Sequence, residues 1–290
     1  MSDADKPLNK KDPKRLDEKR GEGAGKDYVP FIKVGEFSSS GESVRVKSST
    51  VGRIHHFFSG NELAAFLVFD WCNEVVDIRE QFPIPLVDSL IICRQLGIRH
   101  PQEKGELKIV TTDLLIDFSD GSQLAIPVKP ALKLDEKRVV EKLQIEKLYW
   151  EGLQVLCPIF TDQEVSNELE MNLKWLKPLI DIDIEAECPF SKQDVIDLVG
   201  RLTKQPKAFV ARYCAKLDDK YQLEEGTHIG VFRYGIANQY LKASLEIPFT
   251  EWKCEDVELL VSDSVVSHGQ CRVHLLGITL SCDPLLLLMF

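Results

Sequence analysis

"LKIVTTDLLIDFSDGSQLAIPVKPAL", residues 107–132, is the stretch on which the fold turns. It holds two apolar runs joined by Asp120-Gly121, a dipeptide that favours a β-hairpin turn. Two charges interrupt the pattern. Asp113 opens the first run and Lys129 lies inside the second. Burying either is costly unless it meets a partner. On the two strands of a hairpin they can share one sheet face, either as a cross-strand ion pair or as holders of a metal ion and a water. The next segment, "LDEKRVVEKLQIEKLYWEG" (134–152), reads as a long helix ended by Gly152, and "QVLCPIFT" (154–161) as a buried strand. A hairpin, a helix and a returning strand predict an α/β fold: a mixed sheet flanked by helices.

Upstream, "SVRVKS" (43–48) alternates like a strand and "GRIHHFF" (52–58) leads into a turn. "SGNELAAFLVFDWC" (59–72) reads as a helix. Ser59 and Asn61 are its capping candidates, and Leu63, Phe66, Leu67 and Val68 face the sheet. "VVDIREQFPI" (75–84) reads as another strand. After about residue 165 the character changes. "SKQDVIDLVGRL" (191–202), "FVARYCAKLDDKY" (209–221) and "THIGVFRYGIANQYLKAS" (227–244) read as three helices, followed by short strands at "LEIPFT" and "VELLVS". That order is a winged-helix pattern. The third helix carries few basic side chains for DNA reading beyond Arg233 and Lys242. Residues 1–26 are charged and nearly free of apolar side chains, so they are expected to be a disordered tail. The segment 266–290 has no clear role; its final "LLLLMF" is far too short to span a membrane.

The 290 residues are 44% hydrophobic and 28% charged, which fits a soluble globular protein of two domains. The opening residues lack the apolar core of a signal peptide, so a cytoplasmic location is expected. Eight cysteines lie scattered without a C-x-x-C pair, which argues against structural zinc and a disulfide framework. The net charge of −10 lacks the broad basic field of a protein that binds DNA unaided. If DNA is the substrate, a partner is expected to bring it.

Phosphodiester hydrolysis needs carboxylates to hold hard divalent cations and a positive group near the attacking water. Glu62 on the first helix, Asp113 and Lys129 supply that set, in the layout of restriction-endonuclease-like nucleases. Alone, the spacing is weak. The flanking strings are more specific: "GKDYVPFIKVGEFSSSG", "GRIHHFFSGNELAAFLVFDW", "VVDIREQFP", "TTDLLIDF", "AIPVKPA" and "DEKRVVEKLQIEKLYW" occur in order over roughly residues 24 to 180. In these the chain resembles the TnsA family, the endonuclease subunits of heteromeric cut-and-paste bacterial transposons. The resemblance implies a restriction-endonuclease-like catalytic domain over 27–165 and a winged-helix, partner-docking domain over 166–265. It implies cutting of the 5′ strands at transposon ends, alongside a DDE transposase that cuts the 3′ strands and an AAA+ ATPase regulator. Its helix acid falls on Glu62, its hairpin aspartate on Asp113 and its lysine on Lys129. The family's glutamine two residues before the lysine is here Pro127, which has no side-chain ligand. The backbone carbonyl of Val128 is the expected substitute. Magnesium is the expected cation, since oxygen-only ligands suit it, with manganese able to replace it.

Several features stay open on sequence alone. His55-His56 point to opposite faces of an extended segment, which favours structural or DNA-facing roles over a metal pair. Glu80 and Gln81 lie near the site or belong to a fold-holding Arg79–Glu80 pair. On the long helix, Lys133, Lys137, Arg138 and Lys142 alternate with Glu141 and Glu146. Most form a solvated face with i,i+4 pairs, while Lys142 and Glu146 are candidates for supporting the site. The acidic C-terminal part favours docking on a protein, by resemblance the ATPase regulator, over reading DNA. Two rivals remain: a free-standing restriction or junction-resolving nuclease, and a non-catalytic adaptor whose site Pro127 has spoiled.

Overall fold

The computed structural model describes residues 6–36, 43–48, 50–180 and 188–260, and the backbone of 274–275 and 278–279. Two compact units divide between Glu164 and Val165. Among the described residues, no helix is long and apolar enough to cross a membrane.

The first unit contains, in chain order, α1 (Asp12–Asp17), β1 (Val44–Ser48), β2 (Arg53–Phe57), α2 (Gly60–Asp70), β3 (Val75–Pro83) and α3 (Leu86–Leu96). Then come β4 (Gln102–Glu103), β5 (Glu106–Leu107), β6 (Thr111–Phe118), β7 (Gln123–Ile126) and α4 (Lys137–Gly152). β3, β6 and β7 form an antiparallel sheet in that order. The β6–β7 turn has Gly121 at φ +85°, and the Asp120 carboxylate accepts from the Ser122 amide at 2.8 Å. Past α4 the chain returns parallel to β7. The amides of Ala125, Phe160 and Lys129 donate in turn to the carbonyls of Leu156, Pro127 and Phe160, each at 2.9 Å. These isolated parallel bridges border the antiparallel sheet, with α4 as the connection that a parallel return requires. Leu115 and Ala125, neighbours on β6 and β7, pack under Trp150 of α4.

α2 is buried almost all round, as its apolar composition demands. Ser59 caps it, accepting from the Glu62 amide at 3.2 Å, while Asn61 lies within the first turn and takes no capping role.

The expected disorder of 1–26 is not what residues 6–26 show. Leu8 bridges Leu107, and Asp12, fully buried, accepts from the Ile109 amide at 2.8 Å and from Arg15 at 2.7 Å. Arg15 reaches on to Glu36 at 2.8 Å. These charges pair with one another and cap the Ile109 amide, an arrangement that composition cannot reveal.

The second unit contains α5 (Asn167–Ile180), α6 (Lys192–Leu202), α7 (Val210–Tyr221), α8 (Thr227–Ala237), β8 (Leu241–Lys242) and β9 (Glu258–Leu259). α6 and α7 lie where the pattern predicts. The third helix ends at Ala237 rather than near 244 because Gln239 turns left-handed, at φ +55°. The Tyr240 amide then bonds the Gly235 carbonyl at 2.8 Å, closing a Schellman cap. "LEIPFT" is not a strand. Buried Asn172 takes its backbone instead, donating to the Leu245 and Ile247 carbonyls at 2.6 and 2.8 Å and accepting from the Phe249 amide at 3.1 Å. The partner of β9 is β8. α8 is largely buried, and Arg233 lies over the Trp175 ring, so this helix does not offer an exposed DNA-reading face. The segment 266–290 falls outside the described residues, apart from His274–Leu275 paired with Ile278–Thr279.

Candidate active site

Asp113 is the third residue of β6 and lies opposite the end of β7. The β6–β7 ladder ends at the Leu114–Ile126 pair, and Pro127 turns its carbonyl to the Phe160 amide on the other side. The next amide, of Val128, donates instead to Asp113 Oδ2 at 2.7 Å. Lys129 Nζ lies 2.6 Å from the same oxygen and 2.7 Å from the Val128 carbonyl. The two oxygens expected to bind a cation thus converge on one point, and an ammonium fills it. Across the sheet, Gln81 sits between the Glu80–Leu114 and Phe82–Thr112 pairs with φ +52°. Its side-chain amide is 3.4 Å from Asp113 Oδ1, and its carbonyl accepts from Thr111 at 3.1 Å.

Two more carboxyls border this pair. Glu62 follows from the cap of α2: its oxygens accept from the Phe58 amide at 3.0 Å and the Ser59 hydroxyl at 3.1 Å. Burial, then the Asp113 charge, push it up to about 7. Glu146 is almost wholly buried on α4, and its Oε2 has no hydrogen-bond partner among the described residues. Burial and Asp113 push it up to about 7 as well, against the pull of Lys129 and Lys142. Burial opposes the Lys129 ammonium, but Asp113, Glu146 and Glu62 outweigh it and hold Lys129 above the usual lysine value. Burial and the Lys129 charge draw Lys142 below it.

Other expectations resolve differently. Glu80 is buried away from Asp113 and binds Arg53 through both oxygens, at 2.9 and 2.5 Å. It also meets His55 Nδ1 and the His56 amide, each at 3.0 Å. Despite burial, these bonds lower it to about 2. Glu80 therefore joins β2 to β3. Arg79 pairs with Asp117 at 2.7 Å, so the Arg79–Glu80 pair does not form. His55 is buried; His56 turns the other way and accepts from the Val34 amide at 3.1 Å. Lys133 and Lys137 are exposed, and Arg138 pairs with Glu141 at 2.7 Å.

A family model described as "TnsA-like endonuclease N terminal" matches residues 72–162, and one described as "TnsA endonuclease C terminal" matches 164–245. The Escherichia coli protein "Transposon Tn7 transposition protein TnsA" is 37% identical over 246 residues, covering 84% of this chain and 89% of that relative. The chain belongs to the TnsA family. It is accordingly a DNA endonuclease of transposition.

Membership of an endonuclease family suggests divalent metal use, and the oxygen-only donors here are of the right kind. Among the described residues no three His, Cys, Asp or Glu side chains already form a chelating group. The fit rests on the converging Asp113 and Val128 oxygens, the unpartnered Glu146 oxygen and the surplus of buried carboxyl groups. Pro127 gives no side-chain ligand, and its carbonyl is taken by the Phe160 amide. Sequence reasoning missed Thr112, which hydrogen-bonds Glu146 and accepts from Trp150 at 2.8 Å. A buried threonine within an apolar strand was its only signal.

The two raised carboxyls make stability depend on pH. A free Glu titrates near ~4.3, so between about 4.5 and 7 the folded protein binds more protons than the unfolded chain. Without divalent metal, stability is expected to fall as pH rises through that window, by roughly a few kcal/mol. His56, lowered by burial, acts in the opposite sense. The informative quantity is therefore the difference between wild type and Glu146→Gln in urea melts at pH 5 and 7.5. The substitution should flatten the fall, and equal slopes would show that Glu146 ionises normally.

Proposed function

We propose that this endonuclease nicks the 5′ strands at transposon ends, in the cytoplasm, within a complex containing a DDE transposase and an AAA+ ATPase regulator. Asp113 and Glu62 hold magnesium, or manganese in its place, with the Val128 carbonyl. A divalent cation held by these oxygens would supply Lewis acidity toward the scissile phosphate and a nearby water. Lys129 leaves the Asp113 oxygen, orients that water and offsets charge growing on the phosphate. Gln81 steadies the Asp113 carboxylate, while Lys142 and Glu146 set the charge behind it.

The observation that carries this reading is the convergence of Asp113 and Val128 oxygens on Lys129 Nζ, at 2.6 and 2.7 Å, beside two carboxyls held near neutrality. The −10 charge supports dependence on partners for DNA recruitment. The buried α8 supports protein docking, with the regulator, as the role of the second unit.

The test uses a plasmid bearing the element's ends, the cognate transposase and regulator, and magnesium. Strand breaks are mapped with wild type, Asp113→Ala and Lys129→Ala. Breaks on the 5′ strand are expected with wild type and absent with both variants, while 3′ breaks persist. If wild type never yields 5′ breaks yet the 3′ breaks require it, the protein is an adaptor and the reading falls.

A further inference from the structure

Leu132 is 92% exposed, more than any other large hydrophobic side chain among the described residues. It does not lie on a loose loop. The Lys129 amide bonds the Phe160 carbonyl at 2.9 Å, and the Ala131 amide bonds the Asp162 carboxylate at 2.6 Å. Ala131–Lys133 then form a tight 3-10 turn, with the Lys133 amide on the Pro130 carbonyl at 2.9 Å and the Leu134 amide on the Ala131 carbonyl at 3.1 Å. The turn presents an apolar tip on a rigid base. Exposed Lys133 follows Leu132 directly.

Position identifies the occupant. Three residues of chain reach at most about 11 Å, so Leu132 lies within that distance of the Lys129 backbone. A phosphate placed for hydrolysis must approach Lys129. Each strand of a duplex advances ~3.4 Å per nucleotide, so the span from Lys129 to Leu132 is no longer than about three base steps. Asp135 and Glu136 are exposed just beyond, so charge alone does not make this turn a phosphate track. Its distinguishing feature is the apolar tip, the kind of side chain that proteins insert between base steps to unstack and kink DNA.

We propose that Leu132 is a wedge that enters the duplex beside the scissile phosphate, unstacks a base step and turns the 5′ strand toward Lys129. It is a positioning residue, and the inference rests on the nuclease reading above. A protein surface on the transposase is the competing occupant.

The test uses full-length protein in the assembled complex, on transposon ends carrying 2-aminopurine at the steps flanking the cut. Fluorescence is read in Asp113→Asn, to hold the DNA uncut, with and without Leu132→Ala. Nicking is measured separately for wild type and Leu132→Ala on matched ends and on ends with a mismatch at that step. Unstacking fluorescence is expected with Leu132 and lost with alanine. Nicking by Leu132→Ala should fall about tenfold or more on matched ends and recover on mismatched ones. If co-purification with transposase falls and the mismatch restores nothing, Leu132 contacts protein and the wedge is overturned. Equal nicking and fluorescence with and without Leu132 overturn it too. If wild type itself fails to nick, the fault lies in the nuclease reading.

Discussion

Glu80→Ala is expected to lower the stability of the first unit by about 3–5 kcal/mol, the usual cost of removing one partner from a buried ion pair. Glu80 is fully buried and its two oxygens take both terminal nitrogens of Arg53, the His55 ring and the His56 amide. Alanine would leave the Arg53 guanidinium, itself 7% exposed, without a counter-charge, along with a ring nitrogen and a backbone amide. The damage comes from those stranded groups more than from the lost bonds. Arg53→Met added to Glu80→Ala should therefore recover part of the loss. Urea unfolding of wild type, Glu80→Ala and the double variant measures it. A loss below about 1 kcal/mol for Glu80→Ala would mean that water reaches Arg53 and that the network is less closed than its burial indicates.

Asp113→Asn is expected to reduce 5′-strand nicking by on the order of 10³-fold or more while the protein stays folded. The amide oxygen can still accept from Val128, so the end of β7 keeps its anchor. The charge is lost, and with it the partner 2.6 Å from Lys129. Lys129 keeps the Val128 carbonyl and the nearby charges of Glu62 and Glu146, so its burial remains compensated. Those two carboxyls lose a like-charged neighbour and should titrate lower than about 7. The variant should thus combine lost nicking with a flatter fall in stability between pH 4.5 and 7. Nicking assays and melts on one preparation read both. Lost nicking with an unchanged pH slope would show that Asp113 does not act on Glu62 and Glu146 as described.

Where each side chain's role follows from its own strand or helix, the sequence was readable. The apolar runs around Asp120-Gly121 and the helix ending at Gly152 follow local rules, and the hairpin brings Asp113 and Lys129 together. The buried strand expected over 154–161 is not one: the segment meets β7 only through isolated bridges at Leu156 and Phe160, and Leu156 is exposed. Glu62 was legible because a capping serine fixes where α2 begins. Glu80 was not, since its meaning depends on Arg53 and His55 from a strand more than twenty residues away in the chain. The same holds for Asp12 and Arg15, whose charges look solvated until Ile109 and Glu36 are seen beside them. Near 245–250, Asn172 bonds backbone that strand propensity would assign to a hairpin. α3 went unread, its left-handed Gly97 being the clearest local sign of where it stops.

Pro127 has a consequence for error tolerance. Side chains alternate along a strand, so a slip of one residue between β6 and β7 would send Asp113 and Lys129 to opposite faces. A proline at the end of β7 denies the slipped ladder an amide it would need, and the parallel bonds to Phe160 hold the far edge of the strand. Glutamine at this position would add a side-chain oxygen but also return that amide hydrogen, removing a stop that keeps Asp113 and Lys129 in phase.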